Sequence, residues 1–513
     1  MKQYAIFALG ILLAVACDPI DAPVLPTLPG GGSNDSTFVD NDSTVVGGDS
    51  MIVVPDGPVV ADSLGLMDMD IVFDSADEKA YKDAPETIIT DEAHDDYGDF
   101  IENYSPKNTV TITFKEGSAS YSAVPSGVMV TKKNAHVTIE STKKNIAYVL
   151  KGSTTNGSFR LYSDKKAQIT LNGVSITNPT GAAINIQSGK TMLVKLADGT
   201  TNSLEDGTSY TLADGEQQKG TFFSEGQLVF SGNGALDVKS NYGHGIASDD
   251  YVRIREGEFD INSVRDGIST KERFIMYGGF VNVVAQQDGI DVSEGYIEIG
   301  GGHLTIEAVD EGITASYEGD DYGNIDPEVN PYIDIRGGFI KATTTGDKGH
   351  ALRAMSTFDM SGGIVQAHTL GAGSKALLSE NDMTLAGGKI TAITEGDALY
   401  ESDVDELSSS AAIRSKGKLT MDGMIVGVKS IGQGSKGVNN VGDIVAKSCH
   451  VKVVALGADY TYNNASSYSY GISTDGSLSV SGGSLLIKAM HTPIDASTQQ
   501  IADDVIYGAV ATE

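Results

Sequence analysis

One short phrase recurs from the middle of the chain onward and restricts the folds open to it. It reads EGEFDIN, GGFVNVV, GGHLTIE, GGFIKAT, GGIVQAH, GGKITAI and GGSLLIK. The glycine before each strand is Gly257, Gly279, Gly302, Gly338, Gly363, Gly388 or Gly483. The first two steps are 22 and 23 residues; the next is 36 and contains the insertion YEGDDYGNIDPEVNP. Two places after the glycine stand Phe259, Val281, Leu304, Ile340, Val365, Ile390 and Leu485. Four places after it stand Ile261, Val283, Ile306, Ala342, Ala367, Ala392 and Ile487, and the residues between are polar except Leu486. That alternation is the period of a strand with one buried face. A second apolar strand precedes each glycine pair, as in Val252 and Ile254 or Ile297 and Ile299. Two or three short strands per 22–25 residues, in series, predict a right-handed parallel β-helix, with coils stacked at the ~4.8 Å strand spacing. The period of two excludes a helical solenoid, and a propeller blade needs about 40 residues. Cys449 shares the inward parity of Val451 and Val453, so an inert core thiol is expected.

The rest of the chain divides around this array. Residues 1–17, MKQYAIFALGILLAVAC, read as a secretion signal ending in a lipobox-like AVAC, which makes Cys17 the expected lipidation site. A lipid anchor in the cell envelope, outer membrane or cell surface follows, with no other membrane contact. Residues 18–105 are expected to be an acidic, extended linker, poor in core-forming residues. Within it Asp35, Asp42, Asp49, Asp62 and Asp74 each begin an Asp-Ser/Thr-apolar triplet of the kind O-glycosylated in some Gram-negative bacteria. Residues 106–490 hold the β-helix, and residues 491–513 a cap or tail. The formal net charge of −33 repels nucleic acid and attracts cations. Two cysteines exclude a disulfide framework. A monomer is expected.

A second repeat lies between the strands. The turns YGHGIASDD, VRDGIST, QQDGIDVSE, VDEGITA and GDKGHAL centre on Gly245, Gly267, Gly289, Gly312 and Gly349. The residues before these glycines are His244, Asp266, Asp288, Glu311 and Lys348, with Asp249, Asp250, Asp291 and Asp310 close by. Stacked coils bring such carboxylates to about one strand spacing, and two charges at ~4 Å interact by about 4 kcal/mol at an effective dielectric of 20. Calcium, which takes six to eight hard oxygens, relieves that repulsion, and the glycines are expected to adopt positive φ and turn their carbonyls toward the ion. The competing reading is a solvated acidic corner partly offset by Arg265 and Lys271. Later turns read GSK at Gly373 and Gly434 without an acid, which confines calcium to the first half of the array. GQGSKG at Gly432 matches a phosphate-loop pattern but has no helix after it.

The run LNGVSITNPTGAAINIQSGKTMLVKLADGTTNSLEDG, followed by SGNGALDVKSNYGHGIASDDYVRIREG, resembles the bacterial carbohydrate-binding parallel β-helix family, which is similar in fold to pectate lyases. The resemblance covers roughly residues 106–490. It implies calcium held by Asp266, Asp288, Asp291 and Glu311, although RDG, QDG and DEG stand where that family has DDG. It also implies a polysaccharide partner. An acidic protein could hold a polyuronate through shared calcium, or a neutral glucan on tyrosines. Tyr242, Tyr251, Tyr296 and Tyr317 lie near the acidic turns, with Arg265 and Lys271 as charged contacts. The alternatives are a calcium-dependent polysaccharide lyase and a structural adhesin or spacer. β-Elimination needs a base, for which Lys271, Lys348 and Arg353 are candidates, Lys348 foremost.

Overall fold

A computed structural model describes residues 64–82, 86–317, 328–402 and 406–512. Cys17, the signal stretch and the triplets at Asp35, Asp42, Asp49 and Asp62 lie outside the described residues. All described residues fall in one compact unit, Gly57–Glu513.

The molecule is all-β. Through the repeat array each coil contributes three strands that pair in parallel with their counterparts one coil on, while Asn108–Lys115 with Ser118–Tyr121, Val128–Lys133 with Ala135–Ser141, and two hairpins pair antiparallel. The glycine-led strands form one ladder in the register Phe259↔Val281↔Leu304↔Ile340↔Val365↔Ile390. The ladder continues through Val426 and Val451 to Leu485, two coils whose sequences lack the glycine pair. All of these side chains are buried. The strands before the glycine pair form a second ladder, Val252↔Phe274↔Ile297↔Ile333↔Phe358↔Met383. The strands after the acidic turns form a third, Ile246↔Ile268↔Ile290↔Ile313↔Leu352↔Leu377. One apolar core runs through all three. The glycines before the strands have positive φ, from +74° at Gly483 to +111° at Gly257, where a side chain would be strained. Cys449 takes the place of that glycine in its coil, opposite Gly483. It is buried, and burial pushes its thiol up.

Two expectations are corrected. Residues 64–82 and 86–105 are not an extended spacer but lie docked along the coils. Leu66, Met69 and Ile71 are buried beside Val454, and Phe100 is fully buried. Asp74, expected to open a glycosylation triplet, caps the helix Ser75–Ala80 by accepting the Ala76 N–H. The acids that argued for an extended chain make the contacts: Asp70 pairs with Lys429 and Asp77 with Lys389, each at 2.7 Å. Glu86 pairs with both Arg253 and Arg255. Residues 491–512, expected to be a cap or tail, continue the array at its end. Thr492–Ile501 and Ile506–Ala511 pair in parallel with Tyr470–Ala489 and add a further coil.

Candidate functional site

The acidic turns do stack. Gly245 N–H donates to the Asp266 carbonyl, Gly267 to Asp288 and Gly289 to Glu311, so His244, Asp266, Asp288 and Glu311 form one column. Each turn also anchors the next through a side chain. Asp266 Oδ1 accepts the Asp288 N–H at 3.2 Å, and Asp288 Oδ1 accepts the Glu311 N–H at 2.8 Å. At the ends of the acidic run, His244 Nδ1 stands 2.9 Å from Asp266 Oδ2 and Arg353 donates to Glu311 at 3.0 Å. Burial, then Glu311, Asp266 and Asp291, push the Asp288 carboxyl up to about 9. The charge repulsion inferred from the spacing is therefore present, and it favours the protonated form of Asp288.

Of the carboxylates expected to hold calcium, Asp266, Asp288, Asp291 and Glu311 lie close enough to repel one another, and the other three stand apart with partners of their own or in solvent. Asp249 is held by Lys219, and Asp250 accepts from Gln227. Asp310 is exposed on the loop before Glu311. Among the described residues no group of three or more His, Cys, Asp or Glu side chains is placed to hold a metal. The turn glycines are also not in the positive-φ region. They are small because the coils touch there: a Cβ on Gly289 would lie 2.5 Å from the Gly312 carbonyl oxygen and 2.3 Å from Ile306 Cγ2. Their carbonyls accept ladder hydrogen bonds, such as Ile268 N–H to Gly289 O at 3.0 Å.

The register also moves one turn. Ile313 pairs with Leu352, so Ala351 and not Gly349 continues the glycine column, and His350 and not Lys348 continues the acidic one. The next members are Lys375, Ala411 and Lys436. The GSK turns thus place lysines where earlier coils place carboxylates. Lys348 is exposed, in the left-handed region at φ +61°, and paired with Glu401. Lys271 is paired with Glu294 at 3.0 Å and Arg353 with Glu311, so none of the three proposed bases stands free. Arg265 is exposed.

The tyrosines are dispersed. Tyr251 is buried, donating to Asp99 with Arg273 over its ring, and cannot meet a sugar. Tyr296 stacks on Tyr332 at 4.6 Å and accepts from Arg273. Tyr242 is exposed but stacked on Tyr210, and Tyr317 is half-buried.

A different ring is the open one. On the outer face of the glycine-led ladder Phe280, His303 and Phe339 occupy one register position in consecutive coils. His303 stacks on Phe339 at 4.8 Å, and Phe280, with centroid 5.6 Å from His303, is 62% exposed. Beside them lies a groove of about 300 Å³ whose polar wall is Asp237, Asp260, Asn282 and Thr305, one per coil. Burial, then Asp260 and Glu258, raise the Asp237 carboxyl above its ordinary range. Phe280 was passed over in the sequence because it follows the glycine pair at a position that alternation assigns to solvent. An aromatic residue at that outward place was the available signal.

A stack of parallel coils bearing an exposed ring beside a row of amide and carboxylate groups defines a protein with a sugar-sized surface groove. Residues 133–351, which contain that groove, match the carbohydrate-binding domain-containing protein family, in keeping with the resemblance carried by the LNG coil and the DGI turns. A carbohydrate-binding domain-containing protein of Acetivibrio thermocellus is 28% identical over 162 residues, 27% of this chain and 57% of that protein. The chain thus spans little more than half the length of this curated relative. A solved structure of the polysaccharide lyase-like protein from C. thermocellum, a gadolinium derivative, aligns at 23% identity and a TM-score of 0.38, over 55% of this chain and 93% of that one.

Proposed function

We propose that the protein is a right-handed parallel β-helix that binds polysaccharide, with a sugar ring seated on Phe280 and its hydroxyls on Asp237, Asp260, Asn282 and Thr305. The parallel pairing of three strands per coil supports the helix, and the family match over residues 133–351 supports the ligand class. The observation that carries the site is the exposed Phe280 ring, which leaves apolar surface in water next to hydrogen-bonding groups at coil spacing. A sugar offers the complement, an apolar ring face and polar edges. The groove's acids favour a neutral glycan over a polyuronate at this place.

Cellohexaose binding by calorimetry, in wild type and Phe280→Ala, tests the reading. Weakening on the order of ten-fold is expected from loss of the ring. Equal binding by the variant, or no binding to any neutral glycan on an array, overturns it. Running the array with and without chelator separates this mode from the calcium-bridged mode for acidic glycans, which the Asp288 charge cluster favours and its geometry does not. Release of unsaturated uronate ends would reveal a lyase. The lipid anchor at Cys17 and the cell-envelope location belong to the same proposal and rest on the AVAC motif; metabolic labelling with palmitate tests them.

A further inference from the structure

The GSK turns and the hairpins that follow them build a second site at the end of the segment that matches the family, with His350 inside it and Lys375 and Arg414 beyond it. The hairpin Leu399–Glu401 with Glu406–Ser408 rises from the same corner of the coils that carries acidic turns earlier in the chain. Beneath it Lys375 is 8% exposed, and its ammonium donates to the Gly373 carbonyl at 2.7 Å and to Ser408 Oγ at 2.8 Å. His350, one coil back and equally buried, accepts the Lys375 backbone N–H on Nδ1 at 3.0 Å, which leaves Nε2 to carry the ring proton. Arg414 lines the same cavity, of about 320 Å³, and its side chain has no hydrogen bond or ion pair among the described residues. The rim carboxylates Glu401 and Glu380 are held by Lys348 and Lys416, and Glu406 is exposed. Lys375, Arg414 and the His350 N–H therefore face a cavity rimmed by the paired Glu380 and Glu401 and by Glu406, with Glu380 and Asp475 the acids that act on Arg414.

We propose that Lys375, Arg414 and His350 form a binding site for the carboxylate of an acidic sugar unit. It rests on the reading of the protein as a polysaccharide binder and adds an anionic ligand at a place distinct from the Phe280 groove. A planar guanidinium suits a carboxylate, and the ammonium and imidazole N–H supply the remaining donors. Burial and then Arg414 pull Lys375 down to about 7, and burial holds His350 well below its ordinary value. The empty site thus sheds charge near neutral pH, and an entering carboxylate restores it to Lys375, so binding takes up a proton.

The test is calorimetry with tetragalacturonate on the full chain in chelator at pH 7.5, repeated in two buffers of different ionisation enthalpy. Saturable binding with proton uptake is expected, and Arg414→Gln and Lys375→Met should each weaken it on the order of ten-fold or more. Lys375→Met should also abolish the proton uptake. Thermal melts confirm that the variants fold, and Arg414→Lys provides a second variant that keeps the charge and partial affinity. Cellohexaose binding by Arg414→Gln should match wild type, so failure here is distinguishable from failure of the Phe280 reading. Absence of tetragalacturonate binding, unchanged binding in both variants, or equal affinity for inorganic sulfate overturns the assignment.

Discussion

Asp288 accepts the backbone N–H of Glu311, one coil further along, at 2.8 Å. The carboxyl that the sequence marks as the centre of a metal cluster serves as a side-chain rung between turns. Burial first, and then its neighbours Glu311, Asp266 and Asp291, make its ionisation costly.

The sign of that cost leads to a pH dependence. The folded state holds the Asp288 proton above the ordinary carboxylate value of 3.8, up to about 9. Between these values the folded chain binds more protons than the unfolded one, so this group's contribution to stability falls as pH rises. Asp288→Asn keeps an acceptor for the Glu311 N–H and removes the titration. Its melting temperature in chelator should match wild type near pH 4 and exceed it at pH 8.5. A calcium-induced rise at pH 8.5 in wild type, absent in the variant, would instead return Asp288 to a ligand role.

Gly289 sits where coils meet. In Gly289→Ala the new methyl meets backbone at 2.5 Å, which a side-chain rotation cannot relieve. Overpacking of this kind costs about 1–3 kcal/mol, occasionally more. A lowered denaturant midpoint should report it.

Arg253 is the buried cation under the docked N-terminal segment. It pairs with Glu86, with Asp96 at 3.2 Å and with Asp99 at 3.2 Å, and it lies over the Phe100 ring. Arg253→Met removes the cation these acids share and leaves buried Asp99 with the Tyr251 hydroxyl and Glu86 with Arg255; breaking a buried pair costs about 3–5 kcal/mol, and the remaining partners put the loss toward the lower end. Limited proteolysis should then cut within residues 86–105 at protease levels that spare wild type.

Cys449 is 2% exposed among Val451, Val453 and the facing coil. Thiol reagents should label it only on unfolding. Rapid labelling of the folded chain would contradict its placement in the core.

Much of the array was legible because strand alternation is local. Phe259, Val281 and Leu304 repeat at a fixed distance from a glycine that must adopt positive φ, and stacking identical units aligns them. The acidic column was legible for the same reason as far as Glu311. It failed at Lys348 because the loop before Leu352 is longer, and a glycine two residues early mimicked the true register position at Ala351.

The periodic pattern by itself determined the coils, their inward columns and the crowding of Asp266, Asp288 and Glu311, since each depends only on residues one repeat apart. Tertiary structure alone decided the rest. Whether Asp77 floats in a linker or pairs with Lys389 depends on a partner more than 300 residues away. The same holds for Lys375, whose environment is completed by a hairpin serine 33 residues on. Charges far apart in the chain find their partners only when the coils bring them together, and no local spacing encodes that meeting.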